Sequence, residues 1–362
     1  MAETKTWMVY GANGYTGKLI AHEAVRRGMK PILAGRNVAA IEAMGRELRL
    51  PVRIFGLEEV SRATGNLVDV HTVLHCAGPF SATAPTMIES CISARCHYLD
   101  ITGEIDVIEL AKALGPRADT QRISLIPAVG FDVVPTDCLA ALLAARMHDA
   151  THLELAFAGT GGLSPGTMKT MIEGMSQGGR ARVEGRIVEV PIAWQAKSIA
   201  FADKPRYCVS ISWGDVASAY ESTGIENITV FSATSEAAVR RMRRWRWLMP
   251  ATGWGPIQNY LKRRIERTVK GPSPEQLERS RTQMWGCVTN EAGRQVTGTL
   301  TGPGGYVMTY QTALAAVQRM LNEDIETGYQ TPSQAFGADF IRSACDVEID
   351  IDSHSAASNA RV

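Results

Sequence analysis

A chain of 362 residues with 45% hydrophobic residues is too long for one ordinary core, and its formal charge of +1 excludes the broadly basic footprint of a dedicated nucleic-acid binder. Seven scattered cysteines, an odd number, and an N-terminus unlike a secretory signal read as reduced thiols of a cytoplasmic protein. Cys91, Cys96 and His97 lack a second ligand pair at zinc spacing, so no metal is expected, and no apolar run reaches the roughly twenty residues that span a bilayer.

The first apolar segment, Trp7-Met8-Val9-Tyr10, runs into Gly11-Ala12-Asn13-Gly14-Tyr15-Thr16-Gly17 and then an amphipathic stretch. A strand, a glycine turn and a helix in that order make a dinucleotide site. Glycine permits the turn and the close approach of backbone to pyrophosphate, and the helix N-terminus supplies N–H donors. The spacing is Gly-x-x-Gly-x-x-Gly, not the commoner Gly-x-Gly-x-x-Gly. A second strand at Pro31-Ile32-Leu33-Ala34 ends in Gly35-Arg36-Asn37, where no carboxylate stands to accept from a ribose 2′-hydroxyl. Arg36 either pairs with a 2′-phosphate, which predicts NADP(H), or is a solvated cap on the strand end; the first reading is preferred because the second makes both the glycine turn and the strand end coincidences.

Further short strands follow at Val52-Arg53-Ile54-Phe55, Thr72-Val73-Leu74-His75-Cys76, Tyr98-Leu99-Asp100-Ile101 and Ile123-Ser124-Leu125-Ile126, with helical patterns between them. The alternation predicts an α/β, doubly wound Rossmann fold with a parallel sheet and ligands beyond the strands' carboxyl ends. The loops there are Cys76-Ala77-Gly78-Pro79-Phe80, Thr102-Gly103-Glu104 and Val129-Gly130-Phe131-Asp132. Gly78 lets backbone pass close to the cofactor, Pro79 stiffens the turn, and Phe80 is placed on the nicotinamide face or in the core. The predicted cofactor set is therefore Gly11, Asn13, Gly14, Tyr15, Thr16, Gly17, Gly35, Arg36, Asn37 and Cys76 to Phe80, with Gly103, Gly130 and Phe131.

From about residue 150 the period falls to two, at Leu153-Glu154-Leu155-Ala156-Phe157, Val209-Ser210-Ile211-Ser212-Trp213 and Gln295-Val296-Thr297-Gly298-Thr299-Leu300. That predicts a second α+β domain with a largely antiparallel sheet. The expected division is a Rossmann domain over 1–148, completed by 308–350, and a substrate or interaction domain over 149–307. Ser164-Pro165-Gly166-Thr167 starts a helix with Met168, Met171, Ile172 and Met175 on one face. Tyr310, Leu314, Val317 and Leu321 recur at helical spacing, and the polar tail from Ser353 to Val362 carries little apolar surface to order it.

Taken together, these loops, with Tyr98-Leu99-Asp100-Ile101-Thr102-Gly103-Glu104 and Thr331-Pro332, resemble the saccharopine dehydrogenase-like oxidoreductases from Trp7 to about Ser343. Within that family the chain is most similar to the trans-acting enoyl reductases, which act on unsaturated acyl chains of polyketide and lipid pathways. No Tyr-x-x-x-Lys pair exists, Tyr260 being followed by Arg264, which argues against short-chain-dehydrogenase carbonyl reduction. Enoyl reduction needs a hydride at the β carbon, donors for the enolate oxygen and a proton at the α carbon. Asp132, Glu104 and Tyr98 are the candidate proton handlers, with capping and packing as their alternative roles.

The expected activity is NADPH-dependent reduction of a conjugated C=C bond. Saccharopine-type C–N chemistry and a non-catalytic NADP(H) sensor stay open. The C–N reading needs cations such as Arg180, Arg182 and Arg186 to converge on carboxylates. Arg240 to Arg267 forms a basic, tryptophan-rich patch suited to an acidic carrier protein or an anionic membrane surface. The substrate is a small molecule or a carrier-bound acyl chain, and a homodimer is one option for assembly.

Overall fold

The computed structural model describes residues 5–160, 162, 164–175, 178–247, 254–269 and 271–355. The chain forms two compact units, one of residues up to Val134 with Tyr306–Gly337, the other of Pro135–Gly305 with the residues from Ala338 onward.

In the first unit, β1 (Trp7–Tyr10), α1 (Tyr15–Arg26), β2 (Ile32–Gly35), α2 (Val38–Leu48), β3 (Val52–Ile54), α3 (Val60–Gly65), β4 (Thr72–His75), α4 (Phe80–Ala94), β5 (His97–Asp100), α5 (Ile105–Thr120) and β6 (Ser124–Ile126) alternate strictly. The four residues of each of β1, β2 and β4 are all buried, as expected of strands covered on both faces. Neighbouring strands are parallel in the order β3-β2-β1-β4-β5-β6. The order reverses at β1 and β4, where a crevice opens for a ligand.

In the second unit the elements are α6 (Val134–Ala144), β7 (Ala150–Gly159), α7 (Pro165–Met175), β8 (Gly179–Val183), β9 (Arg186–Val190), β10 (Ala196–Ala200), β11 (Pro205–Ile211), α8 (Asp215–Thr223), β12 (Asn227–Ala233), α9 (Glu236–Trp245), α10 (Gly255–Thr268), α11 (Pro274–Arg279), β13 (Arg281–Asn290) and β14 (Gln295–Pro303). Helix α12 (Gly305–Asn322) and β15 (Gly328–Tyr329) return to the first unit, β15 extending its sheet beyond β6 in parallel. Helices α13 (Pro332–Phe336) and α14 (Phe340–Ala344) and strand β16 (Glu348–Ser355) close the described chain. The second sheet runs β10-β11-β12-β7-β13-β14-β16, antiparallel except where β12 meets β7.

Two assignments differ from the sequence expectation. Helix α6 belongs with the second sheet: a Cβ on Gly286 would stand 2.7 Å from Leu143 Cδ1, and one on Gly298 3.2 Å from Leu139 Cδ1, so both glycines make room for α6 leucines. Residues from 338 onward do not return to the Rossmann sheet either. β16 pairs with β14, Ile349 opposite Leu300 and Ile351 opposite Gly298, so the start of the supposed tail is a strand. The remainder, 356–362, lies outside the described residues, as do the side chains of Met171 and Met175.

Candidate active site

The glycine turn after β1 is built as a cradle. Gly11 has φ 82°, and its N–H and that of Ala12 both donate to Ala34 O, which fixes the turn to the end of β2. A Cβ on Gly11 would lie 2.8 Å from Ala77, and one on Gly17 would lie 2.3 Å from Gly11 O. No side chain larger than hydrogen fits either position. Gly14 caps α1 without a side-chain acceptor, and no carboxylate stands in the first turn, so the positive end of the helix is kept for an outside anion. Asn13 Oδ1 lies 3.1 Å from where a Gly35 Cβ would be, bringing the β1 and β2 loops together.

Arg36 leaves the end of β2 into a cavity of about 460 Å3 lined also by Phe55, Gly56, Glu58, Glu59 and Arg62. Two arginines, Arg36 and Arg62, line this cavity and suit a phosphate ester, although Glu58 and Glu59 share the wall. Asn37 does something else: its Oδ1 accepts from Ala40 N–H and caps α2. Tyr10, at the end of β1, donates to Phe55 O, and burial with Glu58 nearby pushes its phenol up to about 12.

The β4 loop is held from below. His75 is buried and neutral, its pKa pushed down to about 3 by burial. Its Nε2 lies 2.9 Å from Thr83 Oγ1, and the Thr83 hydroxyl donates to Ala77 O, so His75 is the donor in that pair. Gly78-Pro79 is cis, and Pro79 caps α4. Phe80 is buried, its ring edge-on to His75 at 5.3 Å. Its ring packs in the core cluster of the first unit.

Two of the three candidate proton handlers are committed to structure. Glu104 accepts from Phe80 N–H at 2.9 Å and Ser81 N–H at 2.7 Å, so its carboxylate caps α4 from 24 residues away. Tyr98 is wholly buried and donates to Asp100 Oδ2 at 2.6 Å, while Asp100 Oδ1 accepts from Thr102 and Ala128 N–H. Burial raises Asp100 to about 6, and its three donors oppose that rise. This cluster locks the β5 and β6 loops together; neither Tyr98 nor Glu104 is free to exchange a proton with a ligand.

Asp132 is different. It is half-buried, and its Oδ2 would be 2.6 Å from a Gly103 Cβ, so the carboxyl lies over the Gly103 backbone and needs a glycine there. Lost hydration, and secondarily the Glu104 charge, raise it to about 7. Two carboxyl groups stand near each other, one fixed by two N–H donors and the other poised at neutrality, an arrangement that separates an anion from an acid.

Helix α12 supplies residues that sequence reasoning passed over. Thr309 Oγ1 accepts from Phe131 N–H, and Thr312 donates to Val129 O, so the β6 loop is pinned by a helix nearly 180 residues later. A Cβ on Gly130 would meet Thr309 at 3.1 Å. Tyr306 packs edge-on against Tyr15 at 5.0 Å, beside the start of α1. The signal for Thr309 and Thr312 was their i, i+3 spacing on one helix face.

In the second unit two of the three arginines considered for a polycarboxylate substrate have other surroundings. Arg182 is buried, donates to Val216 O and Gly185 O, and stacks on Tyr220 at 4.4 Å, while Arg186 is exposed opposite Val183 in the β8–β9 hairpin.

A parallel sheet in the order 3-2-1-4-5-6, with a glycine turn feeding an open helix N-terminus at its reversal point, defines a dinucleotide-binding Rossmann domain. Residues 7–122 match the saccharopine dehydrogenase NADP-binding domain, and NADP(H) is accordingly the dinucleotide of this site. The chain is similar to a mitochondrial saccharopine dehydrogenase-like oxidoreductase of Arabidopsis thaliana, 29% identical over 36% of this chain and 32% of that one. It is also similar to a protein named as a trans-acting enoyl reductase in Mycobacterium tuberculosis, 30% identical over 47% of this chain and 44% of that one. The match thus spans less than half the length of these relatives. Among solved structures, the apo saccharopine dehydrogenase (L-Glu forming) of Saccharomyces cerevisiae superposes with a TM-score of 0.64 over 96% of this chain and 99% of that one, at 12% identity, a likeness of fold.

Proposed function

We propose that the chain is an NADPH-dependent reductase of a conjugated carbon–carbon double bond, with Asp132 as the group that delivers the proton. The observation that carries this reading is the carboxyl pair: Asp132 raised to about 7 beside a Glu104 tied to the α4 N-terminus. When bound, NADPH supplies the hydride. The chain does the rest. The Gly11–Gly17 turn and α1 hold the pyrophosphate, Arg36 receives the 2′-phosphate, and Asp132 keeps a proton on its carboxyl at neutral pH.

A reduction of this kind asks for one acid and a polar backbone near the developing enolate, and the Gly103 backbone lies against Asp132. The similarity to the named enoyl reductase supports the same substrate class. Saccharopine-type chemistry is less well served, because Arg182 is spent on its own hairpin and on Tyr220.

The test is NADPH oxidation, followed by absorbance and product mass, with enoyl thioesters, free enones, and 2-oxo acids plus amines. A mass gain of two hydrogens on an unsaturated acyl compound supports the proposal. Turnover only with a 2-oxo acid and an amine overturns it in favour of C–N chemistry, and tight NADPH binding without turnover on the whole panel favours a sensor.

A further inference from the structure

A strongly basic segment of the second unit is not used in the reading above. Over residues 236–247 and 254–268, nine arginines and lysines stand against two glutamates, in a chain whose total charge is +1. The rest of the molecule is therefore net acidic, and this segment is a local reversal of sign.

Helix α9 is fixed to its own sheet by one side. Val239 is buried in a cluster with Ala193 and Val209, and Arg243 donates to Ala193 O at 2.9 Å. Arg241, Arg244 and Arg246 are exposed. Among them sit large aromatic groups that a water-facing surface does not favour: Trp245 is 45% exposed, Trp247 70% and Trp254 66%. Tyr260, at 64%, continues the pattern along α10, where Arg263, Arg264 and Arg267 are also exposed. Trp247 and Trp254 are seven residues apart, which caps their Cα separation at about 25 Å, within reach of one membrane contact.

Charge alone would fit any acidic partner. Exposed indoles interleaved with guanidinium groups fit one environment in particular, the boundary of an anionic bilayer, where the ring lies between water and acyl chain and the guanidinium pairs with a phosphate. No described helix is long and apolar enough to cross a membrane, so the contact is peripheral. We infer that the α9–α10 surface seats this chain on an anionic lipid membrane, with Trp245, Trp247 and Trp254 in the headgroup layer and Arg241, Arg244 and Arg246 on lipid phosphates.

The full chain should float with vesicles of phosphatidylcholine plus phosphatidylglycerol and stay behind with phosphatidylcholine alone. Its tryptophan emission should shift to the blue and be quenched by lipids brominated in the upper acyl chain. A basic residue near an anionic bilayer is worth about a fivefold change in partitioning, so replacing Arg241, Arg244 and Arg246 together by Ala should weaken binding by about a hundredfold. Trp247→Ser with Trp254→Ser should abolish most of the quenching while NADPH affinity, measured on the same sample, stays unchanged and certifies the fold. No flotation, equal flotation with neutral vesicles, undiminished binding by the arginine variant, or recruitment of an acidic carrier protein with no affinity for vesicles would each overturn the inference.

Discussion

Replacing Asp132 by Asn should make the protein less active and more stable, and the two effects should depend on pH in a linked way. The Asp132 carboxyl moves from an ordinary 3.8 to about 7 on folding, so the folded state holds its proton more tightly than the unfolded one. A raised pKa contributes stability that is fully present below the unfolded value and is lost as pH rises through the folded value. The loss accumulates between about pH 4 and pH 7 and is complete above it, and three units correspond to about 4 kcal/mol. Water reaches the half-buried carboxyl and screens part of this, so about 2 kcal/mol is the working figure. For a domain of 150–250 residues that is about 4–8 °C in Tm. Thermal unfolding of Asp132→Asn against the parent should thus show little difference near pH 4 and a gain of that size at pH 8. On the reductase reading, the same variant loses at least about a hundredfold in kcat/KM, and the parent's rate falls as pH rises above about 7 and strips the acid of its proton. A variant destabilised at pH 8, or a parent rate that climbs steadily from pH 6 to 9, would refute the assignment.

Three further outcomes follow from the same geometry. Glu104→Gln removes the anion that helps to raise Asp132, so the alkaline limb of the pH–rate profile should move to lower pH, with a modest loss of stability from the weakened α4 cap. Arg36→Ala should weaken NADPH binding by roughly tenfold or more and leave NADH binding nearly unchanged, as isothermal titration of the two cofactors would show; equal losses would contradict the 2′-phosphate role. Gly17→Ala places a methyl 2.3 Å from Gly11 O, so the turn must open and affinity for both cofactors should collapse, even in variants that retain native circular dichroism.

Much of the first sheet was legible because each buried parallel strand is a short apolar run punctuated by glycine, proline or a cap, and the loops that follow fall where ligands bind. The Gly11–Gly17 cradle and the exposed Arg36 are local features, and sequence carries local features well. What escaped it was the distribution of duties among the carboxyl groups. Glu104 precedes its own helix, α5, and reads as that helix's cap, yet it reaches back to the N–H groups of Phe80 and Ser81, a tertiary choice no spacing encodes. Tyr98 and Asp100 are two residues apart on a strand, so period two already put them on one face, and their mutual hydrogen bond was there to be read. The same period marks Glu348-Ile349-Asp350-Ile351-Asp352 as a strand, but residues up to 350 were assigned to the first domain because the segment's partner, β14, is invisible without the fold. Helix α6 was misplaced because its leucines answer to Gly286 and Gly298, about 150 residues downstream.

The hydroxyls of Thr309 and Thr312 on the Val129–Phe131 loop, and the short β15 beside β6, impose an order on synthesis. A ribosome that has delivered residues up to Val134 has made six of the seven strands of the first sheet, but β6 is still a bare edge and the loop bearing Asp132 has no clamp. More than 170 residues must then emerge before Tyr306 arrives. The nascent Rossmann half thus waits, with an unpaired edge strand at risk of pairing with a neighbouring chain, until the return segment docks.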